Sequence, residues 1–544
     1  MDTSPAPEVD AVVVGAGFCG LYATKRLRDT GLSVRAFDAA DGVGGVWTWN
    51  RYPGARTDSL HDTYCFTFDR KLVDEWSYTE LHPGQAEVLA YLNFVADKYD
   101  LRRHYTFGAS VTSAVFDQAS GRWRFRTDQG ESLTAKYFVT GLGLVSAPIL
   151  PDVPGLGRFS GEVHHTSRWP EYPVEFAGKR VAVIGTGSSG VQLVSTIANT
   201  VGELTVFQRT PNWVVPTGNR PVTEAEHEHI RAHHEEISRL VRNHPAGWPW
   251  ELVNRKCVET PAEVRDAMFE AAWQEGGFAL LYKTFSDLST DKAANDIACA
   301  WMAKKIASIV DDPEVVDKLT PTHPYGAKRP PAADGYYQAF NEPHVRLVDI
   351  KETPIEAFTE KGIRTTEDEF EVDLIVLATG FDAITGAFTR MDIRGIGGRD
   401  LNEYWREGPR TYLGLGVSGF PNMFMVAGPQ SPFANLPPGA QEQGNWIAGF
   451  IAYLRENGIE FAYPTEESEV DWTKHLHEVA MSLMTRYGLE ANSWFAGANI
   501  EGKARAFNVY FGGHAAHADR CAAEAAAGYP SFRKFATKNE LSQS

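Results

Sequence analysis

The chain has 544 residues, of which 43% are hydrophobic and 22% are charged. That length corresponds to roughly three or four domains at about 100–200 residues each, and the composition is ordinary for a folded enzyme. The formal net charge of −18 argues against nucleic acid or an anionic membrane as the main partner, because both require a basic surface.

The cysteines and the N-terminal segment restrict the expected compartment. The five cysteines are too widely spaced for a disulfide framework or a zinc set, and they are Cys19, Cys65, Cys257, Cys299 and Cys521. They favour a reducing cytoplasm. The segment Met1–Asp10 has no basic region followed by an apolar run, so we expect no signal peptide. The most apolar early run, 11–22, is far too short to cross a membrane.

The chain opens with a pattern of strand, glycine turn and helix. The turn has the form G-x-G-x-x-G, in which the first glycine permits a tight turn, the second lets the backbone approach a pyrophosphate and the third lets the helix pack on the strand. An acid at the end of the following strand can accept hydrogen bonds from a ribose diol. These features predict a site for FAD or NAD, formed by Gly15, Gly17, Phe18, Gly20 and Asp38.

A second unit of the same type begins near residue 178. Its glycine turn consists of Gly185, Thr186, Gly187, Ser188, Ser189 and Gly190. The strand that follows ends in Gln208, Arg209 and Thr210, with no acid. A carboxylate there would repel a 2′-phosphate and an arginine would attract it. The second unit therefore predicts an NADPH site.

Two dinucleotide sites on one chain indicate a flavin that receives electrons from a nicotinamide. Disulfide reductases pass those electrons to a pair of cysteines, usually spaced C-x-x-C, and no two cysteines in this chain have that spacing. Oxygen is the remaining common electron acceptor.

The rest of the chain predicts a multi-domain α/β fold with two Rossmann-type dinucleotide-binding domains and a mostly helical insertion. Thr223 is positioned to cap a helix that starts at Glu224. We expect strands at 345–348, 371–378, 411–415 and 422–426, and helices at 441–456, 472–487 and 515–527. The predicted division is 1–150 (FAD domain, first part), 151–221 (NADP domain, first part), 222–330 (helical insertion), 331–385 (NADP domain, second part) and 386–544 (FAD domain, second part).

Two further motifs carry a specific resemblance. The first, F-x-G-x-x-x-H-x-x-x-W-P, is formed by Phe159, Gly161, His165, Trp169 and Pro170. The second, G-x-W-x-x-x-x-Y-P-G-x-x-x-D, runs from Gly45 to Asp58 and contains Trp47 and Trp49. Both resemble the motifs of type I Baeyer–Villiger monooxygenases. The order of landmarks is similar to that of the cyclohexanone and phenylacetone monooxygenases over nearly the whole chain.

The resemblance implies roles for particular residues. Arg329 is expected beside the flavin ring as a fixed positive charge for an anionic peroxide and the tetrahedral adduct, with Asp58 as its carboxylate partner. Lys328 is expected to reach the 2′-phosphate of NADPH together with Arg209. His165 and Trp169 are expected to act in communication between domains or to have a structural role.

Other positions are expected near the cofactors or the substrate. Gly45, Trp47, Trp49 and Asp58 of the second motif are expected to bind a cofactor, and Gln85 and Trp494 match family positions that contact the cofactors. The expected substrate pocket is formed by Gln430, Ser431, Pro432 and Phe433. Family members with cyclohexanone-type activity usually carry Asn-Gly where this chain has Gln430 and Ser431, and many carry Tyr where it has Thr48, which leaves the substrate range open.

The resemblance implies a monooxygenase that uses FAD, NADPH and O2 to convert a ketone to an ester or lactone through a C4a-peroxyflavin. The alternatives are a flavin-dependent S- or N-oxygenating enzyme, an NADPH oxidase, or a flavoprotein with only a redox-sensing or assembly role. We expect a monomer or weak homo-oligomer with no metal. His229 and His233, spaced i,i+4, are interpreted as part of a solvated helix face because acidic residues surround them.

Overall fold

The computed structural model describes residues 7–543, so the first six residues of the polar N-terminal segment, where no signal peptide is expected, lie outside it, as does Ser544. The strands are β1 Glu8–Val14, β2 Val34–Phe37, β3 Tyr105–Thr106, β4 Val111–Asp117, β5 Arg122–Thr127, β6 Ser132–Thr140, β7 Glu162–His165, β8 Arg180–Ile184, β9 Glu203–Gln208, β10 Val345–Asp349, β11 Ile355–Phe358, β12 Gly362–Thr365, β13 Glu369–Glu371, β14 Leu374–Leu377, β15 Asp392–Arg394, β16 Met423–Met425, β17 Phe461–Pro464 and β18 Phe532–Phe535.

The α-helices alternate with strands in parts of the chain and follow one another directly from α6 to α10. They are α1 Phe18–Asp29, α2 Val46–Trp49, α3 Arg70–Glu75, α4 Gln85–Lys98, α5 Ser188–Ile197, α6 Glu224–Asn243, α7 Ala262–Glu275, α8 Ala279–Tyr282, α9 Lys292–Ala307, α10 Pro313–Leu319, α11 Gly386–Thr389, α12 Leu401–Tyr404, α13 Leu436–Glu456, α14 Glu466–Met481, α15 His514–Ala526 and α16 Lys538–Ser542. Within residues 7–543, none of the helices combines the length and hydropathy that a membrane-crossing segment requires.

The larger sheet has β1 near its centre. Its strand order is β15-β4-β5-β6-β1-β2-β3, and β16 also pairs with β6. β1 runs parallel to β2 and to β6, and its last four residues are buried, which matches its near-continuous apolar sequence. Strands from the last third of the chain, β15 and β16, complete this sheet through parallel pairing.

The second large sheet is entirely parallel. Its order is β10-β9-β8-β14-β7, so β14, which follows the helical stretch, lies between β7 and β8. Parallel strands place their carboxyl ends at one edge of the sheet, where ligands bind in doubly wound folds. A three-stranded antiparallel sheet of β11, β12 and β13 and an antiparallel pair of β17 and β18 accompany the two large sheets.

Helices α6 to α10 occupy the stretch between β9 and β10. Thr223 caps α6: its hydroxyl accepts a hydrogen bond from the N–H of Glu226, and the Glu226 carboxylate accepts one from the N–H of Thr223. This capping box confirms the predicted start of the helix. The backbone of α6 leaves helical geometry at His233, which produces a kink.

The α/β class with two Rossmann-type sheets is as predicted, but one predicted strand is wrong. Residues 411–415 form a tight loop and not a strand, because Leu413 has φ +56° and Gly414 has φ +70°. The hydroxyl of Thr411 accepts a hydrogen bond from the N–H of Gly414 and closes the loop. The apolar alternation of this segment reflects burial within a loop.

Candidate active site

The first glycine turn connects β1 to α1 in the geometry that a dinucleotide site requires. Gly15 has φ +116°, and a Cβ there would lie 2.3 Å from the carbonyl oxygen of Gly141, so only glycine fits. Gly17 is the N-cap of α1 and provides no side-chain acceptor for the first N–H groups of the helix. These N–H groups are available to a phosphate. Phe18 and Gly20 lie buried in the first turn of α1, against the core and the strand.

Asp38 follows β2 at the same edge of the sheet. Its carboxylate accepts hydrogen bonds from the N–H groups of Ala16 (2.6 Å) and Ala40 (2.8 Å). Burial raises the pKa of Asp38, and the two backbone hydrogen bonds and the nearby Arg168 oppose that rise. A carboxylate has about four acceptor positions, so Asp38 can stabilise the turn and still accept hydrogen bonds from a ribose.

The second sequence motif lies directly beside the first turn. Gly45 has φ +56°, and a Cβ there would come within 2.9 Å of the Cα of Gly17. The short helix α2 follows and places Trp47 in the core, where its indole N–H donates to the hydroxyl of Tyr64 over 3.2 Å. The side-chain amide of Gln85 donates to the carbonyl oxygen of Trp47. The 45–58 segment is therefore fixed against the α1 turn.

Asp58, at the end of the 45–58 segment, and Arg329 form an ion pair. One terminal nitrogen of the Arg329 guanidinium, Nη2, donates to the Asp58 carboxylate, and both side chains are largely buried. The other terminal nitrogen, Nη1, donates to the hydroxyl of Ser188 over 3.0 Å. The backbone carbonyl of Arg329 accepts from the side-chain amide of Asn212 over 2.9 Å. The guanidinium is thus held as a fixed charge with a defined orientation.

The second glycine turn repeats the geometry of the first. Gly185 has φ +107°, and a Cβ there would lie 2.4 Å from the carbonyl oxygen of Ala378. Gly187 is the N-cap of α5, is exposed, and has open space beyond its Cα. The start of α5 therefore has room for a phosphate at unpaired N–H groups.

The remaining residues of this turn make contacts within the protein. The hydroxyl of Thr186 is 3.5 Å from the side-chain oxygen of Gln208, and Gly190 packs on the carbonyl oxygen of Gly185. Burial raises the pKa of Tyr52 to about 12, and the side chain of Ser189 opposes that rise. Tyr52 donates to the side-chain oxygen of Gln192 over 2.8 Å, so the 45–58 segment is also attached to α5.

Three cations, Arg209, Lys328 and Lys351, lie together just beyond the carboxyl ends of β9 and β10. Burial, followed by the charges of Arg209 and Lys351, lowers the pKa of Lys328 to about 8. Among the described residues, none of the three side chains has a carboxylate partner. The hydroxyl of Thr210 is buried without a hydrogen-bond partner in the same part of the chain. A phosphate group would satisfy these three cations, so the donor set fits a 2′-phosphate.

The motif at 159–170 contains β7, the edge strand of the parallel sheet. Gly161 leaves no room for a Cβ, which would lie 2.4 Å from the carbonyl oxygen of Asp373 and close to the ring of Phe159. His165 accepts a hydrogen bond at Nδ1 from the N–H of Ser167, and its Nε2 is 3.1 Å from the carbonyl oxygen of Ile149. Burial lowers the pKa of His165, so the neutral ring connects the end of β7 with the linker at Ile149.

The tryptophan that ends this motif is buried next to the 45–58 segment. Trp169 is stacked on Phe176 with ring centroids 6.2 Å apart, and Pro170 follows it at the surface of the joint. The N–H of Trp169 donates to the carbonyl oxygen of Trp49 over 3.1 Å. The guanidinium of Arg168 lies 4.4 Å from the centroid of the Trp49 ring. The two motifs are therefore in direct contact.

The expected substrate-pocket residues are in two different environments. Phe433 and Trp494 form an edge-to-face pair with centroids 5.7 Å apart, and both are half-buried, as is Pro432. Gln430 is fully buried: its side-chain oxygen accepts from Thr411 and its side-chain nitrogen donates to Pro409.

These contacts correct the expectation for part of the pocket. The side chain of Gln430 has no free hydrogen-bonding atom to offer a substrate, because both of its polar atoms bind the 409–411 loop. Ser431 is also buried, and its hydroxyl lies 3.4 Å from the carbonyl oxygen of Gly414. Pro432 and Phe433 remain predicted pocket residues.

Sequence reasoning missed two features of the site. Lys351 joins the cation cluster, and its signal was its position just beyond the carboxyl end of β10, which pairs with β9. The hydrogen bond from Arg329 to Ser188 had no signal in the sequence, because Ser188 was assigned only to the phosphate turn.

Comparison with known proteins agrees with this geometry. Residues 9–221 match a family model described as FMO-like, flavin-binding monooxygenase-like. A Baeyer-Villiger monooxygenase of Pseudooceanicola batsensis is 42% identical over 538 residues, which cover 98% of this chain and 98% of that protein. A phenazine N-monooxygenase of Lysobacter antibioticus is 39% identical over 526 residues, which cover 96% of each chain.

A solved structure matches the whole fold. The crystal structure of cyclohexanone monooxygenase from Rhodococcus sp. Phi1 bound to NADP+ is 43% identical and has a TM-score of 0.95. The match covers 98% of this chain and 100% of that chain.

Proposed function

Since the chain belongs to the flavin-dependent Baeyer–Villiger monooxygenases, we propose that it uses FAD, NADPH and O2 to insert one oxygen atom beside a ketone carbonyl, which gives an ester or a lactone. The observation that carries this proposal is the guanidinium of Arg329, fixed between Asp58 and Ser188. Reduced FAD supplies the activation of O2 when it is bound. The protein supplies position and electrostatic field.

Arg329 provides a permanent positive charge where negative charge develops on oxygen during attack on the carbonyl. An arginine keeps its proton at every physiological pH, and a charge fixed in advance requires no reorganisation during the reaction. Asp58 orients the guanidinium through a charge-assisted hydrogen bond. The aromatic ring of Phe278, 6.0 Å from the Arg329 guanidinium, limits water on one side.

The N-terminal turns of α1 and α5 suit different cofactors. The α1 turn and Asp38 suit FAD, because an acid follows β2. The α5 turn, Arg209 and Lys328 suit NADPH, because a cation cluster without a carboxylate partner takes the place of that acid. Residues 1–150 and 386–544 would form the FAD domain, residues 151–221 and 331–385 the NADP domain, and residues 222–330 the insertion.

The proposed setting is the cytoplasm, with the chain as a monomer or weak homo-oligomer. All five cysteines are free thiols, as expected in a reducing compartment. A small-molecule ketone and O2 are the proposed reaction partners, and nucleic acid is not, in view of the net charge of −18.

The deciding experiment measures NADPH oxidation by the purified yellow protein with a panel of cyclic, aryl and linear ketones, and identifies each product by mass. Ketone-stimulated turnover with a product heavier by one oxygen atom is expected. Release of hydrogen peroxide without a ketone product, at every ketone tested, would instead assign the chain as an NADPH oxidase.

A second candidate activity is N- or S-oxygenation. The observation that favours it is the 39% identity to a phenazine N-monooxygenase over nearly the full length of both chains. Phenazine and an aryl sulfide belong in the same panel. Oxygenated phenazine or sulfoxide as the sole product would favour this activity over ketone oxidation.

A further inference from the structure

Ser188 joins the two nucleotide-binding regions of the site. It is the first residue of α5, directly after the glycine turn of the second fingerprint. Its hydroxyl oxygen accepts a hydrogen bond from Nη1 of Arg329 over 3.0 Å, while Nη2 of the same guanidinium binds Asp58. The catalytic arginine is therefore attached to the start of a helix whose N–H groups are available to a phosphate.

The hydroxyl of Ser188 retains one unused hydrogen bond. A serine hydroxyl offers one donor and two acceptor lone pairs, and Arg329 uses one lone pair. Among residues 7–543, no acceptor is bonded to the hydroxyl proton of Ser188. Gly187, immediately before it, is exposed and faces open space. A phosphate oxygen at the start of α5 can accept this proton while Arg329 still donates to the hydroxyl oxygen of Ser188.

We propose that Ser188 is a positioning residue that couples occupancy of the dinucleotide site at α5 to the orientation of Arg329. The ligand is the pyrophosphate of a nicotinamide dinucleotide, so the inference rests on the proposed function and deepens it. Donation of the Ser188 hydroxyl proton to a phosphate makes the Ser188 oxygen a better acceptor for the Arg329 guanidinium, because linked hydrogen bonds strengthen each other. A bound dinucleotide thus fixes the guanidinium more firmly between Ser188 and Asp58.

The neighbouring serine shows why this role is specific to one position. The side chain of Ser189 interacts with the phenol of Tyr52 and lowers the pKa of that group against the effect of burial. Farther along the same helix, the hydroxyl of Ser195 donates to the backbone carbonyl of Val191 over 2.8 Å. Ser188 alone of these three hydroxyls contacts Arg329.

A double-mutant cycle on equilibrium binding of NADP+ tests the coupling without any turnover. The four proteins are the wild type, Ser188→Ala, Arg329→Ala and the double variant, each loaded with FAD, and the dissociation constant of NADP+ is measured by calorimetry. We expect Ser188→Ala to weaken binding roughly fivefold when Arg329 is present and less than about twofold when it is absent, since residues in one hydrogen-bond network do not act additively.

Rescue and control variants separate positioning from a general structural effect. Ser188→Thr keeps a hydroxyl at the same place and should restore both the affinity for NADP+ and the non-additivity. Ser195→Ala removes a hydroxyl from the same helix outside the site and should leave the dissociation constant unchanged. FAD content and the thermal unfolding midpoint establish that each variant is folded.

The possible outcomes separate this inference from the proposed function. Independent, multiplicative effects of the two substitutions on the dissociation constant of NADP+ would overturn the coupling. The proposed function would still stand in that case, because the wild type binds NADP+. Non-additive effects in a protein that oxidises no ketone would support the coupling and overturn the ketone activity. Failure of the FAD-loaded wild type to bind NADP+ would overturn both.

Discussion

The backbone N–H of Trp169 donates a hydrogen bond to the carbonyl oxygen of Trp49 over 3.1 Å, so the two sequence motifs that carry the family resemblance are in contact. The guanidinium of Arg168 lies over the ring of the same Trp49 at 4.4 Å. The first motif contains β7, the edge strand of the parallel sheet, and the second leads to Asp58. Their contact connects the linker with the region that holds Arg329.

Trp169→Ala is expected to destabilise this joint. Trp169 is buried and stacked on Phe176, and truncation of a buried tryptophan leaves a cavity that costs about 3–5 kcal/mol. Denaturant unfolding followed by flavin fluorescence measures the loss. Trp169→Phe, which keeps an apolar ring, should lose much less. Unchanged unfolding midpoints for both variants would contradict a packing role.

Arg329→Ala is expected to abolish ketone oxygenation while FAD remains bound. Loss of one fixed donor to a developing oxyanion lowers turnover by roughly 100- to 1,000-fold. Product formed per NADPH consumed is the measurement, with Arg346→Ala, an exposed arginine paired with Asp368, as the control. Arg329→Lys should remain defective, because an ammonium cannot bind Asp58 and Ser188 in the same geometry. Full activity in Arg329→Lys would show that charge alone is sufficient.

The affinity for NADP+ is expected to fall as the pH rises through the pKa of Lys328. Burial and two neighbouring cations lower that pKa to about 8 in the protein without ligand. Below this pH the ammonium is charged and attracts the 2′-phosphate, and above it the charge is lost. Between about pH 7 and pH 9.5 the dissociation constant should rise roughly tenfold, the equivalent of one charged hydrogen bond.

Two controls separate the contribution of the 2′-phosphate from that of Lys328: one changes the ligand and the other changes the lysine. NAD+, which has no 2′-phosphate, should show no such trend, and Lys328→Gln should bind NADP+ weakly with a flatter profile. A wild-type dissociation constant for NADP+ that stays constant over this pH range would remove Lys328 from the phosphate site.

Glu469→Gln is expected to stabilise the protein above neutral pH. Glu469 is fully buried, and its carboxylate accepts from the hydroxyl of Tyr404 and from the N–H of Ser418. Burial raises its pKa from 4.5 to about 7. The folded state therefore favours the protonated acid, and the wild type loses stability as the pH rises from about 4.5 through 7.

The glutamine cannot ionise; its carbonyl oxygen can accept the hydrogen bond from the N–H of Ser418, and its NH2 group can donate to the hydroxyl oxygen of Tyr404. The difference in unfolding free energy between Glu469→Gln and the wild type should grow with pH to on the order of 1–3 kcal/mol at pH 8. Urea unfolding at several pH values measures it, with Glu467→Gln on the exposed face of α14 as the control. A difference that does not depend on pH would contradict the assigned ionisation.

Lys503→Met is expected to loosen the segment that carries Trp494. Lys503 donates to the carboxylate of Asp382 over 2.5 Å and to the carbonyl oxygen of Ala383 over 2.9 Å. Loss of both contacts should speed amide hydrogen exchange in residues 490–505 while the exchange of α13 stays unchanged. Equal exchange in the two proteins would indicate that other contacts, such as that of Asn499 with Phe381, hold the segment alone.

Local patterns predicted the parts of the site in which backbone conformation determines the residue type. The turn at Gly15 is an example, because its positive φ and the approach of Gly141 allow no other residue, and the second turn repeats that constraint. Thr223 with Glu226 is another, since a capping box is a short-range signal.

Long-range pairing could not be read from local patterns. Asp58 and Arg329 are brought together only by the fold, so resemblance to a family was needed to pair them. The bond from Arg329 to Ser188 had no family signal and was missed. Gln430 was expected in a pocket, but an amide that bonds to a neighbouring loop looks the same in a sequence as one that faces a substrate.

The pairing of β16 with β6 has a consequence for protein synthesis. Residues Phe138–Thr140 of β6 pair with Met423–Met425, so this part of the strand edge lacks its partner while the ribosome makes the chain between them. At about 5–20 residues per second, that interval lasts roughly 15–60 seconds. An unpaired apolar strand edge attracts other chains. Nascent chains of this protein should therefore depend on chaperones until the last third emerges, and slow translation upstream of Met423 should increase aggregation.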